Sequence, residues 1–237
     1  MSKTIFYNAP CSVWRRFLES EGCRTEVLDN HLYCAVAKEF DGLTDIEDKD
    51  KRFQKACNNL CCTIGSKYDC LEFGHNLNSN NKKDAIFSVN NETYWDFHDN
   101  YKSEEECTLL LAYLALKSII GTKSYAKTNK EMWLSRMNGK TRVEYRVKKD
   151  GSKELVLSES IKKWNTHYGV RKLKELLWKY YHVSFYSKSV HGFYASISLD
   201  DKGLVAMVQK VKKEPTLHDE FKNAQLAAIE AVTNAKT

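Results

Sequence analysis

The chain is 237 residues long and 42% apolar, which suffices for one large or two small domains around a buried core and excludes a disordered tail. No apolar run reaches the roughly eighteen residues that a membrane span needs, and "MSKTIFYNAPCSVWRR" lacks the basic stretch, apolar segment and small-residue cleavage site of a leader. The expectation is a soluble, cytoplasmic protein with no membrane partner. Charge is divided unevenly: residues 1–106 carry 13 Lys+Arg and 19 Asp+Glu, a net of −6, whereas residues 107–237 carry 24 and 12, a net of +12. That asymmetry points to a polyanion-binding C-terminal half.

Along the chain, the N-terminal half reads as mainly helical. Ser12 is placed to cap a helix running to Glu21, with Val13 and Phe17 on one side. A second helix covers Asn30 to Phe40, and a third runs through "KDKRFQKACNNLCC", where Phe53, Cys57, Leu60 and Cys61 recur at helical spacing. "KYDCLEFGHNL" reads as a fourth, and "DGLTDIEDKD" and "NLNSNNKKD" are polar connectors. "AIFSVNNETYWDF" alternates apolar and polar residues around Asn90-Asn91, the pattern of a hairpin. All eight cysteines lie within the first 107 residues, and without a secretory signal they are expected to be reduced thiols. Cys57 and Cys61 are four apart and share a helix face, and the gap from Cys62 to Cys70 is eight. Neither is the C-x-x-C spacing of a zinc site, so neither metal nor cofactor is expected.

"EECTLLLAYLALKSIIG" is the clearest helix, with acidic residues at its start, Lys117 late and Gly121 as a stop. It is apolar around nearly its whole circumference, which predicts a central buried position. "KTNKEMWLSRMNG" carries a Thr128-x-x-Glu131 capping box and an Asn138-Gly139 terminator, and "TRVEYRVKKDGSKELVL" is a hairpin on an Asp150-Gly151 turn. "SESIKKWNTHYGVRKLKELLWKYYHVSFYSKSVHGFYASISL" then supplies a helix capped by Ser158 or Ser160, a tight turn at Gly169, a second helix to Tyr181, and an aromatic hairpin. In the second helix Val170, Leu173, Leu177, Tyr180 and Tyr181 gather on one arc, which leaves Arg171, Lys172, Glu175, Trp178 and Lys179 outward. After Pro215, "TLHDEFKNAQLAAIEAVTNAK" reads as a C-terminal helix whose stripe of Leu217, Phe221, Ala224 and Ala228 packs on its own domain or serves a homodimer.

The order helix, turn, basic helix, hairpin, over about residues 104–200, resembles the winged helix-turn-helix family. The fold class expected is therefore α+β: a mainly helical, acidic half with a hairpin (residues 1–103), followed by a basic winged helix-turn-helix-like half (residues 104–237). The resemblance implies double-stranded DNA as partner, with the second helix of the pair in the major groove and the wing against phosphates. Carried over, Arg171, Lys172 and Lys179 occupy the reading face, Thr166 and His167 its approach, and Lys188 and His191 the wing. Glu175 departs from the pattern by standing amid that face, and the 142–157 hairpin exceeds the single strand such domains place between their first and second helices. A second register stays open, in which the Thr128–Asn138 helix reads DNA. There Arg136 points away from the Trp133, Leu134 and Met137 arc, and Arg142, Arg146, Lys148, Lys149 and Lys153 line the wing. Two winged units in tandem resemble plasmid replication initiators, and the chain is loosely similar to uncharacterised phage and mobile-element proteins. Both imply a transcription regulator or a replication-associated protein.

No catalytic constellation emerges. The chain has neither G-x-x-x-x-G-K-[ST] nor G-x-S-x-G, and no two histidines flank a single residue. His167 and Arg171 are four apart, not three as in the His-x-x-Arg element of recombinases. Asp96, His98 and Asp99 in "YWDFHDN" read as polar turn chemistry. The rival class is a non-enzymatic protein-interaction module, a phage accessory or virion-associated protein that grips a protein partner through acidic residues 1–103.

Overall fold

A computed structural model describes residues 4–189 and 192–213, and the side chains of these except 188–189 and 211–213. Among the described residues helix outweighs strand by 57% to 14%, a mixed α+β architecture. Strand β1 (Phe6–Pro10) pairs antiparallel with β2 (Ile86–Asn90), Tyr7 opposite Val89 and Ala9 opposite Phe87. These four side chains point inward and are buried, as the two-residue period of a strand requires. The helix expected from Ser12 to Glu21 is instead a short 3-10 helix (Cys11–Arg16), because Ser20 caps the next element through its Oγ, which accepts from Cys23 N–H at 3.2 Å. That element, α1 (Glu21–Gly42), absorbs the helix expected at Asn30 to Phe40. Helices α2 (Lys49–Asn59) and α3 (Lys67–Asn80) start on the side chains of Asp48 and Ser66. Cys61 lies beyond the end of α2, at φ +49°, so it does not share a helix face with Cys57.

The hairpin expected at Asn90-Asn91 does not form. Asn90 ends β2 and its Oδ1 accepts from Thr93 N–H at 2.7 Å, which opens α4 (Asn91–Asp99). The pairing partner of β2 is the chain's first strand, not its immediate successor.

Helix α5 (Glu104–Ile120) is the central buried helix that its composition predicts. Ser103 and Glu106 close a reciprocal capping box, and Gly121 ends the helix at φ +61°, a conformation that favours glycine. A short strand follows, β3 (Ala126–Thr128), then α6 (Lys130–Met137). The cap of α6 is Asn129, whose Oδ1 accepts from Met132 N–H at 2.8 Å, and not Thr128, which belongs to β3. Strands β4 (Tyr145–Val147) and β5 (Lys153–Leu155) form the hairpin expected around Asp150-Gly151, paired only with each other. Helix α7 (Glu159–Lys162) and α8 (His167–Tyr181) precede β6 (Ser184–Ser189), β7 (Gly192–Ser196) and α9 (Asp201–Lys213). Gly169 lies within the first turn of α8, not in a turn between helices. The stretch read as a C-terminal helix after Pro215 lies outside the described residues.

Strands β3, β7 and β6 form an antiparallel sheet in that spatial order. One buried apolar cluster joins both halves, from Tyr7 and Trp14 through α5 to Trp133, Leu173 and Phe193. Polar clamps cross between them too: Lys117 Nζ on α5 donates to Ser88 O at 3.0 Å, and Thr141 Oγ1 accepts from Ala85 N–H at 3.1 Å. Among the described residues no helix is long and apolar enough to cross a membrane.

Candidate nucleic-acid interface

Helix α8 owes its placement to its first turn. Thr166 Oγ1 accepts from Gly169 N–H at 2.9 Å, and a Cβ on Gly169 would stand 2.9 Å from Trp164 O, so only glycine lets the preceding loop pass this close. Gly169, Leu173 and Leu177, four residues apart in turn, are buried, while His167, Tyr168, Arg171, Glu175 and Trp178 face out. Tyr180, expected on the apolar arc, is 57% exposed. The β6–β7 hairpin returns along this helix, its Phe185 and Phe193 packed on Trp133 of α6 with ring centroids 6.3 and 5.7 Å away. Between α8, the start of α6 and the hairpin runs a groove of ≈ 710 Å³ lined by Asn129, Lys130, His167, Arg171, Lys174 and Phe193, among others.

The cations expected on α8 do not converge on one face. Arg171 is exposed at the groove and its Nε donates to Glu175 Oε1 at 2.7 Å, one turn on. Lys172 leans the other way and pairs with Glu105 of α5 at 3.2 Å, beside the ion pair of Lys163 with Glu104. Lys179 stands at the far end of the helix with Nζ 4.8 Å from the centre of the Tyr180 ring. Thr166 is engaged as the cap, and His167 lies open at the groove rim. Lys188 falls in β6 with its side chain outside the described residues, and His191 lies outside them altogether.

The second register fares differently. Arg136 does not point outward: it is 7% exposed, and its guanidinium donates to Lys140 O, Thr141 O and Ser118 Oγ at 3.2, 3.2 and 2.9 Å. It ties the loop after α6 to the end of α5, a job for its planar array of donors. Arg142, Arg146, Lys149 and Lys153 are exposed on or beside the β4–β5 hairpin, and Lys148 approaches Glu154 at 3.5 Å. The hairpin projects from the body, with Tyr145 52% and Val147 64% exposed on one face.

Two groove residues escape a reading of the sequence. Lys130 opens α6, and Lys174 reaches from α8 under the hairpin, its ammonium 3.7 Å from the centre of the Phe193 ring. Burial lowers the Lys174 ammonium to about 8. The only advance signal for Lys174 is its place on the helical wheel just beyond Val170 and Tyr181, at the edge of the apolar arc and next to His167. Comparison of the chain with protein-family models, curated proteins and solved structures finds no match in any of the three.

Proposed function

We propose that this protein binds double-stranded DNA through the face formed by α8, the start of α6 and the β6–β7 hairpin, as a winged helix-turn-helix regulator or replication-associated protein of phage or mobile-element type. The observation that carries the reading is the order of the three-stranded sheet. A single short strand, β3, follows α5 and precedes α6, and it pairs with β7, the second strand of the hairpin after α8. In a winged helix-turn-helix domain one strand stands between the first two helices and a hairpin wing follows the reading helix. On this reading α5, α6 and α8 are the three helices, and the β4–β5 hairpin with α7 is an insertion before the third. The insertion then supplies a second basic arm. The net of +12 over residues 107–237 favours a polyanion over an acidic or neutral partner.

The test is fluorescence anisotropy of the full chain on random-sequence duplex, single-stranded DNA and RNA at two salt concentrations. Binding to duplex that weakens steeply with salt is the expected result, since each phosphate neutralised releases counterions. Absent or salt-independent duplex binding overturns the proposal. Nuclease-resistant capture of one stoichiometric protein, with no duplex binding, would assign the chain to protein interaction instead.

A further inference from the structure

Lys174 is a half-buried cation whose described partners are a hydroxyl and two aromatic rings. Its Nζ sits 3.7 Å from the Phe193 ring centre and 5.6 Å from that of Phe185, and donates to Ser187 Oγ at a long 3.3 Å. Burial is what lowers its ammonium, and among the described residues no carboxylate forms an ion pair with it. Aromatic faces compensate in part, but an ammonium has three donors and gains most from an anion. The groove it lines is roomy at ≈ 710 Å³ and carries Lys130, His167 and Arg171 around it.

We propose that this groove is a phosphate-binding site in which the Lys174 ammonium, seated on Phe193, receives one phosphate group, with Lys130, His167 and Arg171 around it and Ser187 Oγ as a further donor. The inference rests on the DNA-binding reading and names a phosphodiester of the backbone as the ligand. Free inorganic phosphate shares that chemistry. Among the described residues Arg171 is held by an exposed carboxylate, so a phosphate can displace Glu175 at little cost. A lysine already lowered to about 8 by burial gains charge when an anion arrives, so binding couples to protonation. The charged or titratable groups lining the groove are Lys130 and Glu131 from α6 and His167 and Arg171 from α8, with Glu175 behind Arg171; the described hairpin residues there, Ser187, Gly192 and Phe193, are uncharged.

The test has two arms on the full chain. In the first, anisotropy on random duplex is measured at pH 7 and pH 9 for wild type, Lys174→Arg and Lys174→Met. Wild-type affinity is expected to fall about threefold more than that of Lys174→Arg, whose guanidinium stays charged, while Lys174→Met binds weakly at both. In the second, the Lys174 Cε resonance is titrated with pH, with and without inorganic phosphate, and phosphate is expected to move its midpoint upward. Identical pH profiles for wild type and Lys174→Arg, together with a Lys174 titration unmoved by phosphate, overturn the site. Duplex binding that survives this leaves the DNA-binding reading standing without it. A phosphate-induced shift with no duplex binding assigns the site to a free phosphate and overturns the backbone assignment. Should Lys174→Met fail to fold by circular dichroism, the Lys174→Arg profile and the resonance decide.

Discussion

Trp14 and His31 are joined in the core by a hydrogen bond from the indole Nε1 to the imidazole Nδ1, 2.9 Å long. That bond fixes the tautomer: Nδ1 accepts, so Nε2 carries the proton and donates to Tyr7 O at 3.1 Å. A proton on Nδ1 would face the indole N–H, and burial lowers the imidazole to about 4 from its ordinary 6.5.

Because the folded value lies below the unfolded one, the unfolded chain binds the extra proton first as pH falls. The contribution of His31 is complete above pH 6.5 and is lost progressively between 6.5 and 4, on the order of 3 kcal/mol in all. Urea midpoints should fall across that window. The residue-specific check is the His31 imidazole Cε1 resonance, expected to stay in the neutral form at pH 5 in the folded chain; protonation near pH 6.5 refutes the assignment.

Helices α1 and α3 approach so closely that a Cβ on Gly74 would lie 2.3 Å from Tyr33 O and 2.8 Å from Ala37 Cβ. A backbone carbonyl cannot rotate aside as a side-chain end can. Gly74→Ala is therefore expected to destabilise the fold by about 1–3 kcal/mol, although alanine is the better helix former. Gly22, in the same α1 with nothing within 4 Å of its Cβ position, is the control. Gly22→Ala should leave the thermal midpoint unchanged or raise it, and equal behaviour of the two variants would refute the packing argument.

Elements specified by local chemistry were legible in the sequence, and those specified by distant partners were not. Helix α5 shows its acidic start, its apolar circumference and its Gly121 stop, and Asp150-Gly151 announces its own hairpin. Asn90-Asn91 is ambiguous by nature, since asparagine suits both hairpin turns and helix caps; β1, at the far end of this half, decides between them by pairing with β2. At three residues β3 is too short to show a strand period, so Thr128 looks like a cap although Asn129 does that work. Arg136 and Lys174 both required tertiary structure: the first is covered by the loop after its own helix, and the second gains its groove only when the hairpin folds back.

Arg171, Glu175 and Lys172 give the proposed DNA-binding face a sharp signature. Glu175→Gln releases Arg171 toward the groove and removes a negative charge from the face, so duplex affinity should rise. Arg171→Ala should lower affinity and make the salt slope shallower by about one. Lys172 pairs with Glu105 away from the groove, and Lys172→Ala should change affinity far less than Arg171→Ala. Anisotropy across a salt series measures all three, and a larger loss for Lys172→Ala than for Arg171→Ala would place the contact on the α5 side.

The β4–β5 hairpin meets the core at its base, through Leu155, and is otherwise peripheral to the fold. Its strands pair only with each other, and an isolated two-stranded hairpin adds little stability. The loop leading to it is held without it: Asn138 Oδ1 accepts from Ser158 N–H at 2.9 Å, and Arg136 secures Lys140 and Thr141. Replacing residues 143–154 by a short Gly-Ser linker removes Arg146, Lys148, Lys149 and Lys153 but leaves these bonds and the core contact of Leu155. Thermal melting should therefore shift by only a few degrees, by about the amount that 1 kcal/mol produces in a chain of this size. Duplex affinity should fall, with a slope shallower by about two to four if the arm contacts phosphates as proposed. Unchanged affinity and slope would show that the arm does not touch nucleic acid, and a collapsed melting transition would show that it stabilises the body.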